Sequence, residues 1–185
     1  MSRLPLITTA TADDAQRALL DATASQLGRV PNLYAALATA PAALSGYLAM
    51  RDALSKGVLS LRLREQIALL VAQENECGYC VAAHTFRGTR MRMSEDDLVR
   101  TRRAEDSDPH GHAILQITHA LLAERGRISD DQIAEARAAG VTDAEFAEIT
   151  AHIALNTLSN YFNHLAQPDL DFPVVDLTLP EPAAA

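Results

Sequence analysis

Both cysteines of the chain fall within the stretch ECGYCVAAHTF, Glu76 to Phe86, and a histidine follows the second cysteine by four residues. In a helix beginning at Cys77, steps of about 100° per residue place Cys77, Cys80 and His84 within an arc of about 60°. Cys80 and His84 form an i,i+4 pair, the spacing at which side chains meet. This arrangement points to thiolate chemistry. A thiol in the first turn of a helix meets the positive end of the macrodipole, and a neighbouring imidazole can take its proton. The dipole favours Cys77 as nucleophile, whereas His84 favours Cys80. Local physics leaves the two nearly balanced, and a specific base within reach tips the choice to Cys80.

Two other readings compete. Packing as small hydrophobes, with His84 as a core histidine, explains the residue types but not their clustering. Zinc accepts Cys, Cys and His, but a closed structural site needs a fourth ligand, and no second CxxC or HxxxH pair supplies one. No metal and no cofactor are therefore expected. The segment upstream adds a carboxylate. On a helical wheel Arg62, Gln66 and Gln73 form a polar stripe, with Ile67, Leu70 and Val71 facing the other way. Glu65 lies on the border beside Ala68 and Ala72, where it reads either as a surface charge or as a working group. Arg64 sits nearer the apolar face, where a charge needs a partner.

The elements that must position these residues are helices. Alanine and leucine dominate, aromatics make up 4% and tryptophan is absent, which favours helix over a β-sandwich. Caps and stops predict helices over 13–27 (ending at Gly28), 32–39, 41–54, 61–75 (capped by Ser60) and 77–88 (stopped by Gly88). Further helices are expected over 95–103 (Ser94 with Asp97 as a capping box), 111–124, 130–139 (Ser129) and 143–166 (Thr142). Gly140 separates the last two. Nothing alternates at period two, so the fold class is all-α. One domain is expected over 1–185, a helical bundle with its core at about 12–166 and an extended tail at 167–185.

Composition excludes several functions. A net charge of −8 leaves only the short RTRR at Arg100 to Arg103 as a basic cluster, so no nucleic-acid partner is expected. No apolar run approaches the roughly 20 residues that cross a bilayer, and MSRLPLITTATADDAQ has no secretory apolar segment. The expected location is cytoplasmic, where a CxxC is more often catalytic than structural.

The segment REQIALLVAQENECGYCVAAH resembles the signature of the alkylhydroperoxidase D / carboxymuconolactone decarboxylase family. Glu65, Cys77, Cys80 and His84 match that signature position by position: a glutamate, twelve residues to the first cysteine, CxxC, and a histidine four further on. GRVPNLYAALATAPAAL and HIALNTLSNYFNHLAQPDLDFP are similar to the family's peroxidase-related branch. The resemblance implies an all-helical, trimeric or hexameric homo-oligomer with cofactor-free peroxidase activity on a hydroperoxide. It further implies that Cys80 attacks, that Cys77 resolves the sulfenic acid to a disulfide, and that Glu65 and His84 relay protons. An external dithiol or disulfide reductase then closes the cycle. One position departs from the prototype, which carries a histidine immediately before the second cysteine. Here it is Tyr79, a phenol unable to act as a base at neutral pH but able to donate a hydrogen bond. Weaker peroxidase turnover follows, and thiol–disulfide exchange as an electron-passing adaptor is the alternative function. A metal-binding or interaction module and a carboxymuconolactone decarboxylase-type reaction rank below it.

Other polar residues carry less. His110 and His112 of HGH read as a solvated helix entrance, and His119 and His152 as structural or exposed. Asn156, Asn160 and Asn163 put several amides on the last helix, where burial requires partners. They are expected to brace a neighbouring helix or subunit, with no role in catalysis.

Overall fold

The computed structural model describes residues 2–181; Met1 and the last four residues of the expected tail, 182–185, lie outside the described residues. Nine helices and no strand occur among them: α1 (Asp14–Leu27), α2 (Asn32–Leu37), α3 (Pro41–Leu54), α4 (Leu61–Glu74), α5 (Gly78–Arg90), α6 (Glu95–Arg102), α7 (Pro109–Ala123), α8 (Asp130–Ala138) and α9 (Asp143–Ala166). The all-α expectation holds.

Local chemistry sets most of the boundaries. Ser60, Ser94, Ser129 and Thr142 each accept a backbone N–H from the first turn of α4, α6, α8 and α9, and the last three complete reciprocal capping boxes. Gly28 and Gly140 adopt φ of 75° and 94°, left-handed conformations that glycine enters without steric cost.

Most helix ends agree within one residue, α2 stops at Leu37, two short of its expected end, and two other boundaries differ for a visible physical reason. Helix α7 begins at Pro109 rather than Gly111, because Asp108 is its cap and accepts from the Gly111 N–H, with proline in the first turn. Helix α5 runs through Gly88 to Arg90. A Cβ on Gly88 would stand 2.6 Å from Leu98 Cδ2 and 3.2 Å from Met93 Sδ, so this glycine is a notch against which α6 packs. It does not stop the helix.

Helix α4 lies at the centre, packed by α5, α6, α7 and α9. Its seven consecutive residues Gln66 to Ala72 are all buried. That corrects the expected polar stripe, since Gln66 is enclosed and donates to Thr101 Oγ1 at 3.3 Å and to Asp106. A helix surrounded on all sides has no solvent face for a glutamine, which must find polar partners inside. Arg64 donates to the Leu54 and Ser55 carbonyls at the end of α3.

The described tail, 167–181, is extended and docked. Val175 and Leu177 pack against the cluster containing Leu69, Cys77, Cys80 and Val81. The RTRR basic cluster is used here, as Arg102 donates to the Asp176 and Leu177 carbonyls at 2.7 and 2.9 Å, and Arg103 donates to the Pro180 carbonyl.

Candidate active site

Helices α4 and α5 form a hairpin whose connection is only Asn75, Glu76 and Cys77. Glu76 takes φ 51°, and the Cys77 N–H reaches back to the Ala72 carbonyl at 2.9 Å. Asn75 is tied to α9 through Asn160 Oδ1 at 3.0 Å, and its carbonyl lies 2.7 Å from His164 Nε2. Cys77 is therefore the N-cap of α5 rather than its first helical residue. The tight turn lays α4 along α5 and brings Glu65 onto the His84 side of that helix.

Glu65 Oε1 and His84 Nδ1 are 2.6 Å apart, with side chains 12% and 11% exposed. Burial alone would raise the Glu65 carboxyl. The charge and hydrogen bond of His84, with Arg87 and Arg64 nearby, outweigh burial and hold it below the usual carboxylate range. An ionised carboxylate only accepts hydrogen bonds, so Nδ1 carries the proton and Nε2 is left as the basic atom.

Both thiols are free and buried. The Cys77 thiol is drawn below the ordinary range, chiefly by its hydrogen bond with Cys80. The same bond, together with burial, holds Cys80 well above that range. The ion of the pair thus rests first on Cys77. Asn163 Nδ2 donates to Cys80 Sγ at 3.1 Å, a bond that favours charge on that sulfur. Asn163 is the site residue that sequence reasoning missed. The run of amides on α9 was visible, but nothing local tied Asn163 to a cysteine more than eighty positions away.

Tyr79 is turned away from any role as a base. Burial and its bond to Asp171 push the phenol up. Its hydroxyl donates to Asp171 Oδ1 at 2.6 Å and accepts from the Leu33 N–H at 3.2 Å. Asp171 also receives Arg29 Nη1 at 2.6 Å. The next residue, Phe172, meets Tyr79 edge-on at 5.6 Å between centroids, with the Arg29 guanidinium 4.6 Å from its ring centre.

Cys80 and His84 line a narrow cavity of about 20 Å³ with Tyr79 and Phe172. Through Tyr34, Tyr47, His84 and Arg87 it shares walls with a second cavity of about 170 Å³ that contains Glu65. Cys77 lines a different cleft, about 260 Å³, with Glu76, Asn163 and His164. The largest cavity, about 540 Å³ between α7 and α8, contains no cysteine; chemistry rather than volume identifies the site. His110 sits in the first turn of α7, 3.2 Å from Glu145, and His119 lies 2.8 Å from Glu74. Neither joins the cysteine site. No group of three or more His, Cys, Asp or Glu side chains among the described residues is placed to hold a metal.

These features define an all-helical protein with a buried CxxC whose second cysteine shares a cavity with the histidine of a glutamate–histidine pair. Residues 41–123 match the model of the carboxymuconolactone decarboxylase family, which supports the alkylhydroperoxidase D-like resemblance of the sequence. Among solved structures, an alkylhydroperoxidase AhpD core, a peroxidase-related protein from Ralstonia eutropha JMP134, is 26% identical with a TM-score of 0.77, covering 92% of each chain. A peroxidase-related protein from Silicibacter sp. TM1040 is 21% identical with a TM-score of 0.79, again over 92% of each chain. The debrominase Bmp8, in a C82A form bound to 2,3,4-tribromopyrrole, is 16% identical with a TM-score of 0.75, over 92% of this chain and 94% of its own. No curated protein matches the chain.

Proposed function

We propose that the protein is a cofactor-free thiol peroxidase that reduces hydroperoxides, with Cys80 as the attacking sulfur. The observation that carries this reading is the buried Glu65–His84 pair at 2.6 Å, whose histidine lines the cavity that also contains Cys80. In the cycle, His84 Nε2 takes the Cys80 proton while Glu65 supports the resulting imidazolium. The Cys80 thiolate then attacks a peroxide oxygen: an S–O bond forms, the O–O bond breaks, and the leaving alkoxide takes the proton back from His84 as an alcohol. Cys80 becomes a sulfenic acid. The Cys77 thiolate attacks that sulfur, forming the disulfide and releasing hydroxide, which leaves as water with the proton that the Cys77 thiol gave up to solvent. An external dithiol returns two electrons and two protons. It enters through the cleft at Cys77, which has only Tyr79 in common with the lining of the peroxide cavity.

The ionisation order of the thiols suits the resolving step, in which Cys77 must act as thiolate, and it delays charge on Cys80 until His84 takes the proton. The same order supports a second assignment, in which Cys77 attacks first and Cys80 resolves. The cleft at Cys77 also supports a thiol–disulfide adaptor that passes electrons to another protein. The likeness to the debrominase is one of fold, and nothing in this site selects a halogenated ring.

The test is stopped-flow oxidation of the reduced protein by several hydroperoxides, compared with its exchange with a protein disulfide. Fast consumption of peroxide that Cys80→Ser abolishes supports the peroxidase. Fast exchange with slow peroxide reaction would replace it with the adaptor.

A further inference from the structure

The larger cavity beside the glutamate–histidine pair gathers basic side chains from four helices: Arg51 on α3, Arg64 on α4, Arg87 on α5 and His152 on α9. The only carboxylate among its lining residues is Glu65, already engaged with His84. This stands out in a chain whose net charge is −8. Two of the basic groups hold unused donors. Arg51 Nε and Nη2 bond the outward Asp52, Nη2 also reaches Gln26, and the guanidinium interacts with the Tyr34 hydroxyl, while its buried Nη1 makes no close hydrogen bond. His152, 6% exposed, has its Nε2 buried and equally unpartnered. Buried donors without partners are rare, and each calls for an explanation. Both residues line one cavity, and its basic walls favour an anionic ligand.

A carboxylate fits that description. It offers two oxygens in one plane, the geometry that guanidinium recognises best. A phosphate would bring a third oxygen and more charge than two donors satisfy. The remaining walls include Leu61, Ala68, Leu155 and the paired rings of Tyr34 and Tyr47, 5.7 Å apart, which suit a short hydrocarbon body. The volume of about 170 Å³ is close to the roughly 150 Å³ that accommodates a benzene ring. Burial and the Arg64 charge hold His152 below the ordinary imidazole range, so its imidazole is uncharged, and Nε2 donates in the tautomer that carries its proton there. Tyr34, Tyr47, His84 and Arg87 line both this cavity and the narrow one at Cys80, so the two are adjacent.

We propose that this cavity is a carboxylate subsite, and that the protein acts on a small hydroperoxide carrying an organic acid group, the O–O bond lying at Cys80 and the carboxylate between Arg51 and His152. The substrate class rests on the peroxidase reading; the subsite does not. The experiment has two arms. In the first, calorimetry follows the reduced protein titrated with benzoate, with benzyl alcohol and with inorganic phosphate. Benzoate should bind at least tenfold more tightly than either control. Arg51→Gln should weaken it by about tenfold, the loss of one charge-assisted hydrogen bond, and His152→Phe should weaken it independently. In the second arm, tert-butyl hydroperoxide is compared with its analogue bearing a carboxylate on one methyl. The acid should oxidise Cys80 at least tenfold faster, and Arg51→Gln should remove that advantage. Equal binding of benzoate and phosphate, or benzoate binding unchanged in both folded variants, overturns the subsite whatever the peroxide rates. Arg51-dependent benzoate binding in a protein inert to every peroxide leaves the subsite standing and overturns the peroxidase reading instead.

Discussion

Replacing Glu65 with glutamine keeps the shape of the side chain and removes its charge. In the structure its carboxylate accepts from His84 Nδ1 at 2.6 Å, and neither side chain is more than 12% exposed, so solvent screens the pair weakly. A hydrogen bond between charged groups contributes about 1.5–3 kcal/mol, against about 1 kcal/mol for a neutral one. Glu65→Gln therefore loses about 1–2 kcal/mol of support for the imidazolium that forms as Cys80 gives up its proton. At about 1.4 kcal/mol per decade of rate, Cys80 oxidation should slow roughly 5- to 30-fold. Stopped-flow oxidation of reduced protein by hydrogen peroxide, from pH 6 to 9, reads this directly, and circular dichroism and light scattering verify fold and assembly. Wild-type rates across that range in a folded variant would refute the relay and leave Cys80 and His84 as a simple thiol–imidazole pair. The same carboxylate predicts a stability signature. Its folded pKa is depressed, so its contribution is full above the unfolded carboxylate value near 4.3 and is lost as pH falls through the lower folded value. Denaturant midpoints of wild type should drop in that acidic window, and Glu65→Gln should flatten the drop.

Four further outcomes are expected. Cys80→Ser should consume no peroxide, while Cys77→Ser should consume about one equivalent and leave a sulfenic acid on Cys80 that dimedone traps; the reverse pattern would assign first attack to Cys77. Thiolate absorbance at 240 nm should show one step below the usual thiol range near 8.5, with the second thiol titrating well above it, and Cys77→Ser should abolish the low step. Leu158, Tyr161 and Leu165, exposed at 45%, 62% and 59%, form an i, i+3, i+7 apolar stripe on α9 that a second copy would cover. Light scattering should find a trimer-based oligomer that Leu165→Asp weakens, and a stable wild-type monomer at micromolar concentration would sink this assembly. Asp171→Asn should cost about 1–2 kcal/mol by weakening the ionic bonds from Arg29 and Tyr79, read as a lower denaturant midpoint, and should raise the rate at which iodoacetamide reaches Cys80; an unchanged alkylation rate would show that the tail does not cover that thiol.

What the sequence made legible was local. Serine and threonine caps, left-handed glycines and the i,i+4 spacing of Cys80 and His84 act over one or two turns, and the structure keeps them. Gly88 misled because a glycine serves a helix end and a close helix crossing equally well, and only the position of Leu98 distinguishes the two. Gln66 misled because the wheel assumes one solvent face, whereas α4 has neighbours on every side. Glu65 was ambiguous on its own helix and resolved only by the three-residue turn that folds α5 back onto α4. Asn163, Arg51 and His152 carried no local signal at all, since their significance depends on which distant side chain or cavity they meet.

Tyr79 shows how a departure from a pattern acquires meaning from the fold. Against the histidine that the prototype carries there, a tyrosine reads as a lost base. The structure gives the position a different task. The phenol stands inside the CxxC, one residue before Cys80, and its hydroxyl grips Asp171 of the tail. That grip places Phe172 on the wall of the Cys80 cavity, with Arg29 holding both the carboxylate and the ring. A histidine is shorter and could not span to Asp171 in the same way, so the substitution and the docked tail belong together. The tail in turn narrows the approach to Cys80 to about 20 Å³, roughly the room for a single small group. On the peroxidase reading, a peroxide larger than that must place the rest of its molecule elsewhere, and the adjacent cavity with its basic walls has room for it.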